Sequence, residues 1–344
     1  MTNVKLSYQN DAISGLEQGF LESIPEGYRG FADVGEISSL GMDALLSELL
    51  GAISGGVGEA ISFFLVAFGV TLIFSLVSLF SSPLSGAVRG GVSAAACMAM
   101  FASLYPLFSQ AAEALGEVSG FFGGLVPTLT AYLALGGGGG TATAAASGLG
   151  ITLWLTGLVA ERLLMPMTAA VFASSLLSSA VGGVSEKVGT SISRSFGRLI
   201  GIVGATVAAA FALQTYISVA ADSVSVRAAK YAASGLVPAV GGVVSGAIST
   251  LGGGLAAVGG IIGASSVAII VAMAISPLAL LLLHKLALYL CSLFLEFTGT
   301  DAKSSPVAAF MGALNTLISV YAVTMIIYIF EIIVLIWGGK SILG

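Results

Sequence analysis

"ISFFLVAFGVTLIFSLVSLF", Ile61 to Phe80, is twenty residues without a charge. At about 1.5 Å per residue, a helix of that length spans roughly 30 Å, the hydrocarbon core of a bilayer. Pro83 and Arg89 close it. The stretch reads as a membrane-spanning helix, and the rest of the chain is interpreted from it.

Composition agrees. The chain has 344 residues, 57% of them hydrophobic and 8% charged, with a mean hydropathy of +1.05. Soluble domains carry roughly 25% charged residues. Twelve Lys and Arg with seventeen Asp and Glu are too few to solvate a large soluble helical core. Further apolar runs fall at about 90–109, 118–135, 142–160, 163–181, 199–221, 257–283 and 306–337, with a shorter one at 286–298. The expected fold class is all-α: a polytopic transmembrane helix bundle of about 7–8 spans over residues 60–344.

Residues 1–59 differ. They hold nine acids against Lys5 and Arg29. "AISGLEQGFLESI" and "MDALLSELLGAI" place apolar residues at helical spacing without reaching spanning length. This is expected to be an acidic, amphipathic, extracytoplasmic helical segment, because acids neither favour an anionic cytoplasmic leaflet nor oppose translocation. Alternation then puts Arg89 inside, Glu113 and Glu117 outside, and Lys187, Arg194 and Arg198 inside, in keeping with the positive-inside rule.

Glycine, at 47 residues, is expected to let helices approach closely, since apolar contact gains little in lipid. The run Gly136–Gly140 lacks the Lys-Ser/Thr of a P-loop and reads as a flexible turn. Cys97 and Cys291 lie inside apolar runs and read as small hydrophobes in helix packing. His284, the one histidine, reads as an interfacial anchor beside Lys285. No serine–glycine pair has a glycine two residues before the serine, and there is no HExxH, so no catalytic site, cofactor site or metal site is expected. Nothing points to nucleic acid.

Within "GGVSEKVGTSISRSFGR", residues 182–198, Val184, Val188, Ile192 and Phe196 form one helical stripe and Lys187, Arg194 and Arg198 another. That suits a helix in the cytoplasmic interface, each base contributing about 1 kcal/mol at an anionic lipid surface; a basic connecting loop is the alternative. Glu296 and Glu331 stand in apolar surroundings. Such acids face a cavity or a partner, unless nearness to a helix end lets them reach the headgroups, which is the expectation for both.

"DSVSVRAAKYAASGLVPAVGG", residues 222–242, interrupts the apolar pattern with an acid, two bases, a proline and paired glycines. Pro238 cannot continue a helix, and Gly241–Gly242 permit a sharp turn. Residues 222–256 are therefore expected to be broken or re-entrant, the form in which irregular backbone is tolerated at membrane depth. Asp222, Arg227, Lys230, Pro238, Gly241 and Gly242 are the candidate conduit or partner contacts, with a plain surface connector as the alternative.

From Leu213 to Gly260 the sequence resembles the central signature of the stage III sporulation protein AE family. The resemblance rests on Leu213 and Gln214, Asp222, Arg227 to Tyr231, then Pro238, Gly241 and Gly242 before a glycine-rich run. It implies a permease-type subunit of a channel or export-like complex in the mother-cell membrane around the forespore. The implied partners are a cytoplasmic ATPase, ring-forming membrane proteins and membrane lipids. Family members begin with a signal peptide, and Met1 is followed here by no basic region and apolar core. Two other classes remain open. A secondary transporter would show paired halves with matching broken helices, and only one discontinuous region is found. A non-conducting scaffold needs no pore.

Overall fold

The computed structural model describes residues 14–31, 40–79, 86–136, 138–158, 211–223, 241–299 and 306–343, with isolated positions at 191, 195, 198, 202 and 209. The described residues form helices joined by turns, and no strand occurs among them. Helix α1 covers 14–23 and leads into a 3-10 turn, Glu26–Phe31. The others are α2 (Leu40–Leu79), α3 (Gly86–Leu135), α4 (Gly139–Gly157), α5 (211–223), α6 (Gly241–Phe297) and α7 (Pro306–Leu343).

Four helices are long and apolar enough to cross a membrane: Asp43–Val77, Ala94–Leu135, Ile261–Phe297 and Phe310–Gly338. Their outward faces carry large apolar side chains, among them Leu65, Ile73 and Ile326, each more than half exposed. Water would penalise such a surface, whereas a lipid solvent matches it. This is an all-α, multi-pass membrane bundle.

Two helices are longer than the sequence pattern suggests. The boundary at 59/60 falls inside α2, a single helix of 40 residues. The runs at 90–109 and 118–135 are one 50-residue helix, α3, with Pro106 and Pro127 inside it. No turn forms between them: Glu113 and Glu117 stay exposed on the helix surface, and Ser109 donates to the Glu113 carboxylate at 3.2 Å. Acids mark a polar girdle as readily as a helix end, and Ala, Leu and Glu all favour continuation. The expected span at 163–181 and most of 199–210 lie outside the described residues, while 211–221 are helical in α5.

Helices α2 and α6 run side by side in the same direction. A Cβ on Gly56 would collide with Leu280, Phe63 faces the His284 ring at 5.1 Å, and Phe68 meets Phe294 edge-on at 4.9 Å. His284 is thus not an interfacial anchor. It is 4% exposed, and its Nδ1–H donates to the Leu280 carbonyl at 2.8 Å. A helix can satisfy a histidine from its own preceding turn, so no headgroup is needed. Cys97 and Cys291 are fully buried and form no disulfide, as expected of small hydrophobes.

After the connection following Gly299, α7 returns antiparallel against α6. A Cβ on Gly263 would overlap the Ile336 side chain, so the two backbones meet only because that position has none. Helix α1 buries Leu16 and Phe20, and Ile24 just after it, in the same core. It rests on α3, where a Cβ on Gly124 would come within 3.1 Å of Ser23. Next to it, burial first and then the carboxylates of Glu48 and Glu117 push the Tyr28 hydroxyl above its ordinary range.

Candidate functional site

Helix α4 begins without a capping side chain. Its N-cap is Gly138, and the first four N–H groups of any helix lack partners within it. The missing acceptor comes from 81 residues along the chain: Asp222 Oδ2 accepts the Thr141 N–H at 2.6 Å. A carboxylate there also meets the positive end of the helix dipole, a term of about 0.3–1 kcal/mol. Gly140 makes room, since a Cβ at that position would stand 3.0 Å from Asp222 Oδ1. The glycine run and the signature acid, unrelated by spacing, are one structural unit.

The same contact fixes α5. It lies antiparallel on α4, with Asp222 at the first turn and Phe211 over Gly148, where a Cβ would overlap the ring. Gly338 of α7 closes this corner, its missing Cβ leaving room for Val219 and Thr215. Tyr216 stacks on Trp337 at 6.0 Å, the rings 9° from parallel.

Further along α4, a second carboxylate engages. Glu331 of α7 is completely buried, and its Oε1 is hydrogen-bonded to Thr152 Oγ1. Thr152 Oγ1 also lies 3.3 Å from the Gly148 carbonyl oxygen. Glu331 Oε2 has no hydrogen-bond partner among the described residues. One turn earlier, the Tyr328 hydroxyl and Ser119 Oγ of α3 are 2.8 Å apart, and the Tyr328 ring stacks on Phe122 at 4.3 Å. Residues 328–331 therefore tie α7 to α3 and α4 together.

The two acids expected to reach headgroups separate. Glu296 is exposed at the end of α6. Glu331 is not: its side chain points into the bundle, where Thr152 supplies a hydroxyl, and this corrects the headgroup expectation for it. Gly241 and Gly242 also differ from expectation. They open α6 as helical residues, and the helix runs unbroken from Gly241 through residue 256. A pair of glycines tolerates a helix start as well as a turn, and sequence alone does not choose.

Arg198 is helical and exposed. Arg227, Lys230, Pro238, Lys187 and Arg194 lie outside the described residues. Thr141 and Thr152 carried no sequence signal; hydroxyls in an apolar helix are too common to single out two of them.

Geometry and composition define a class: a multi-pass helical membrane protein whose fourth helix is held by two carboxylates from distant parts of the chain. The family model for stage III sporulation protein AE matches residues 34–339, and the chain belongs to that family. It is a sporulation-related membrane protein. No curated protein and no solved structure matches it significantly.

Proposed function

We infer that the chain is the multi-spanning subunit of a sporulation-specific channel or export-like complex, needed for forespore development. It sits in the mother-cell membrane around the forespore and works with a cytoplasmic ATPase and ring-forming membrane proteins. Its own role is not enzymatic. The observation that carries this reading is the family match across residues 34–339. The glycine run supports it: Gly139 and Gly140 open α4 with the Asp222 carboxylate at the Thr141 N–H, a cap rather than a phosphate cradle, and the energy source is assigned to a partner.

Helix length supports an acidic segment outside the hydrocarbon. At about 1.5 Å per residue, α2 is about 60 Å long, twice the hydrocarbon thickness. Its charge-free part starts at Ala60, so the half bearing Asp43, Glu48 and Glu59 projects. That half is the extracytoplasmic end of the bundle and the surface offered to intermembrane partners.

Arg227 and Lys230 are the signature's cations and the proposed conduit or partner contacts. In sporulating cells, Arg227→Ala with Lys230→Ala is expected to leave membrane insertion and protein level intact and to block sporulation after engulfment. Lys5→Ala with Arg29→Ala is the control for equal charge loss. Arg29 makes only an exposed 3.9 Å pair with Glu26, of a kind that contributes little. Full sporulation of the signature double variant at normal protein level contradicts the reading. The buried Glu331 favours one alternative, a secondary transporter driven by protons, which proton flux through liposomes by the lone chain would separate from the first.

A further inference from the structure

Thr152 has one hydroxyl hydrogen and two acceptors in reach, Glu331 Oε1 and the Gly148 carbonyl oxygen. A carbonyl and an ionised carboxylate only accept. With Glu331 ionised, that hydrogen serves one of them, and the carboxylate keeps Oε2 buried without a partner. With Glu331 neutral, its O–H donates to Thr152 Oγ1 and Thr152 donates onward to Gly148, so each hydrogen has an acceptor. An uncompensated charge in a fully buried, membrane-embedded position is strongly disfavoured.

Among the described residues the surroundings offer no charge compensation. From α4 comes Thr152, with Leu153 against Gly123 of α3. On α3, Phe122 and Ser119 meet Tyr328 one turn before Glu331, and α6 packs on α7 where Gly263 meets Ile336. None of these is charged. The titratable group nearby on α7 is Tyr328, whose hydroxyl is engaged by Ser119. No cationic side chain pairs with Glu331 among the described residues.

We propose that Glu331 is a proton-binding site: the folded bundle holds it as a neutral acid that ties α7 to α4 through Thr152 and Gly148. Loss of the proton strands a carboxylate in the core and leaves one Thr152 hydrogen for two acceptors, so that one link of the tie is lost and water or a small cation must enter or α4 must part from α7. The proton thus fixes how α4 sits against α7 at the end opposite its Asp222 cap.

The test is infrared difference spectroscopy on the full-length protein in lipid vesicles at neutral pH, wild type against Glu331→Gln. Glutamine mimics the neutral acid, its amide N–H donating to Thr152 where the acid's O–H did. The expected result is a Glu331→Gln protein that folds and unfolds at the wild-type temperature. Its spectrum should lose the carbonyl stretch of a protonated carboxylic acid that the wild type shows. A folded variant with no such loss, or with loss from the carboxylate bands instead, overturns the proposal. Failure of Glu331→Gln to fold overturns it as well, since a site built for a neutral donor accepts the isostere.

Discussion

Glu296 and Glu331 look alike in sequence, each a lone acid within an apolar run near the end of a long helix, yet they meet opposite fates. Glu296 is exposed at the end of α6, whereas Glu331 lies completely buried in α7 with a hydroxyl from α4 against it. What separates them is the presence of a third helix carrying a threonine at the right height. An acid's place in a membrane bundle is thus decided by its tertiary partner, and that partner lies 179 residues away.

The largest expected break in this comparison comes from charge reversal. Glu331→Lys places an unpaired cation in the core and is expected to destabilise the bundle by about 3–5 kcal/mol, the scale of an uncompensated buried charge. Glu296→Lys is expected to stay within about 0.5 kcal/mol of the wild type, as exposed substitutions do. Thermal unfolding of the two purified variants checks both. Equal melting temperatures would remove the distinction drawn between the two acids.

A smaller effect is expected at the other end of α4. Asp222→Ala leaves the Thr141 N–H uncapped and is expected to lower stability by about 1 kcal/mol. Gly140→Ala should act in the same direction by pushing the Asp222 carboxylate away. Amide hydrogen exchange over the first turn of α4 is the sensitive readout. Unchanged protection in Asp222→Ala would mean that the cap does not hold the helix.

The smallest effect belongs to the N-terminal edge, where acids remain exposed. The Tyr28 hydroxyl is held above its ordinary value by burial, then by Glu48 and Glu117. A raised value in the folded state means the stability is present below the unfolded value of about 10 and declines as pH rises beyond it. Tyr28→Phe should lessen this alkaline loss while leaving stability at neutral pH nearly unchanged. An identical alkaline limb in the variant would show that Tyr28 does not contribute.

Much of the fold was legible because lipid imposes a coarse rule: long charge-free runs become helices, as Ile61–Leu79 did. The breaks were harder. Glu113 and Glu117 signalled a helix end between two spans, yet Ala, Leu and Glu carry the helix through, and only neighbouring helices decide whether a polar girdle becomes a turn. His284 suggested an anchor because its own-turn acceptor, the Leu280 carbonyl, cannot be read from side-chain patterns. Asp222 stood out as a signature acid, but its task depended on Gly140, 82 positions earlier. Contacts of that range leave no spacing to read.

The central claim is that this chain is one subunit of a larger assembly and does not move solutes alone. Its most direct test is to isolate the tagged full-length chain from sporulating cells in mild detergent and, separately, after expression by itself. Each preparation is then assayed in liposomes for ATP hydrolysis and for proton-gradient-driven proton flux. The account predicts ATPase activity only in material from sporulating cells, co-purifying with a second subunit, and no proton flux from the lone chain. Proton flux by the chain alone, lost in Glu331→Gln, would contradict it and establish a proton-coupled transporter instead.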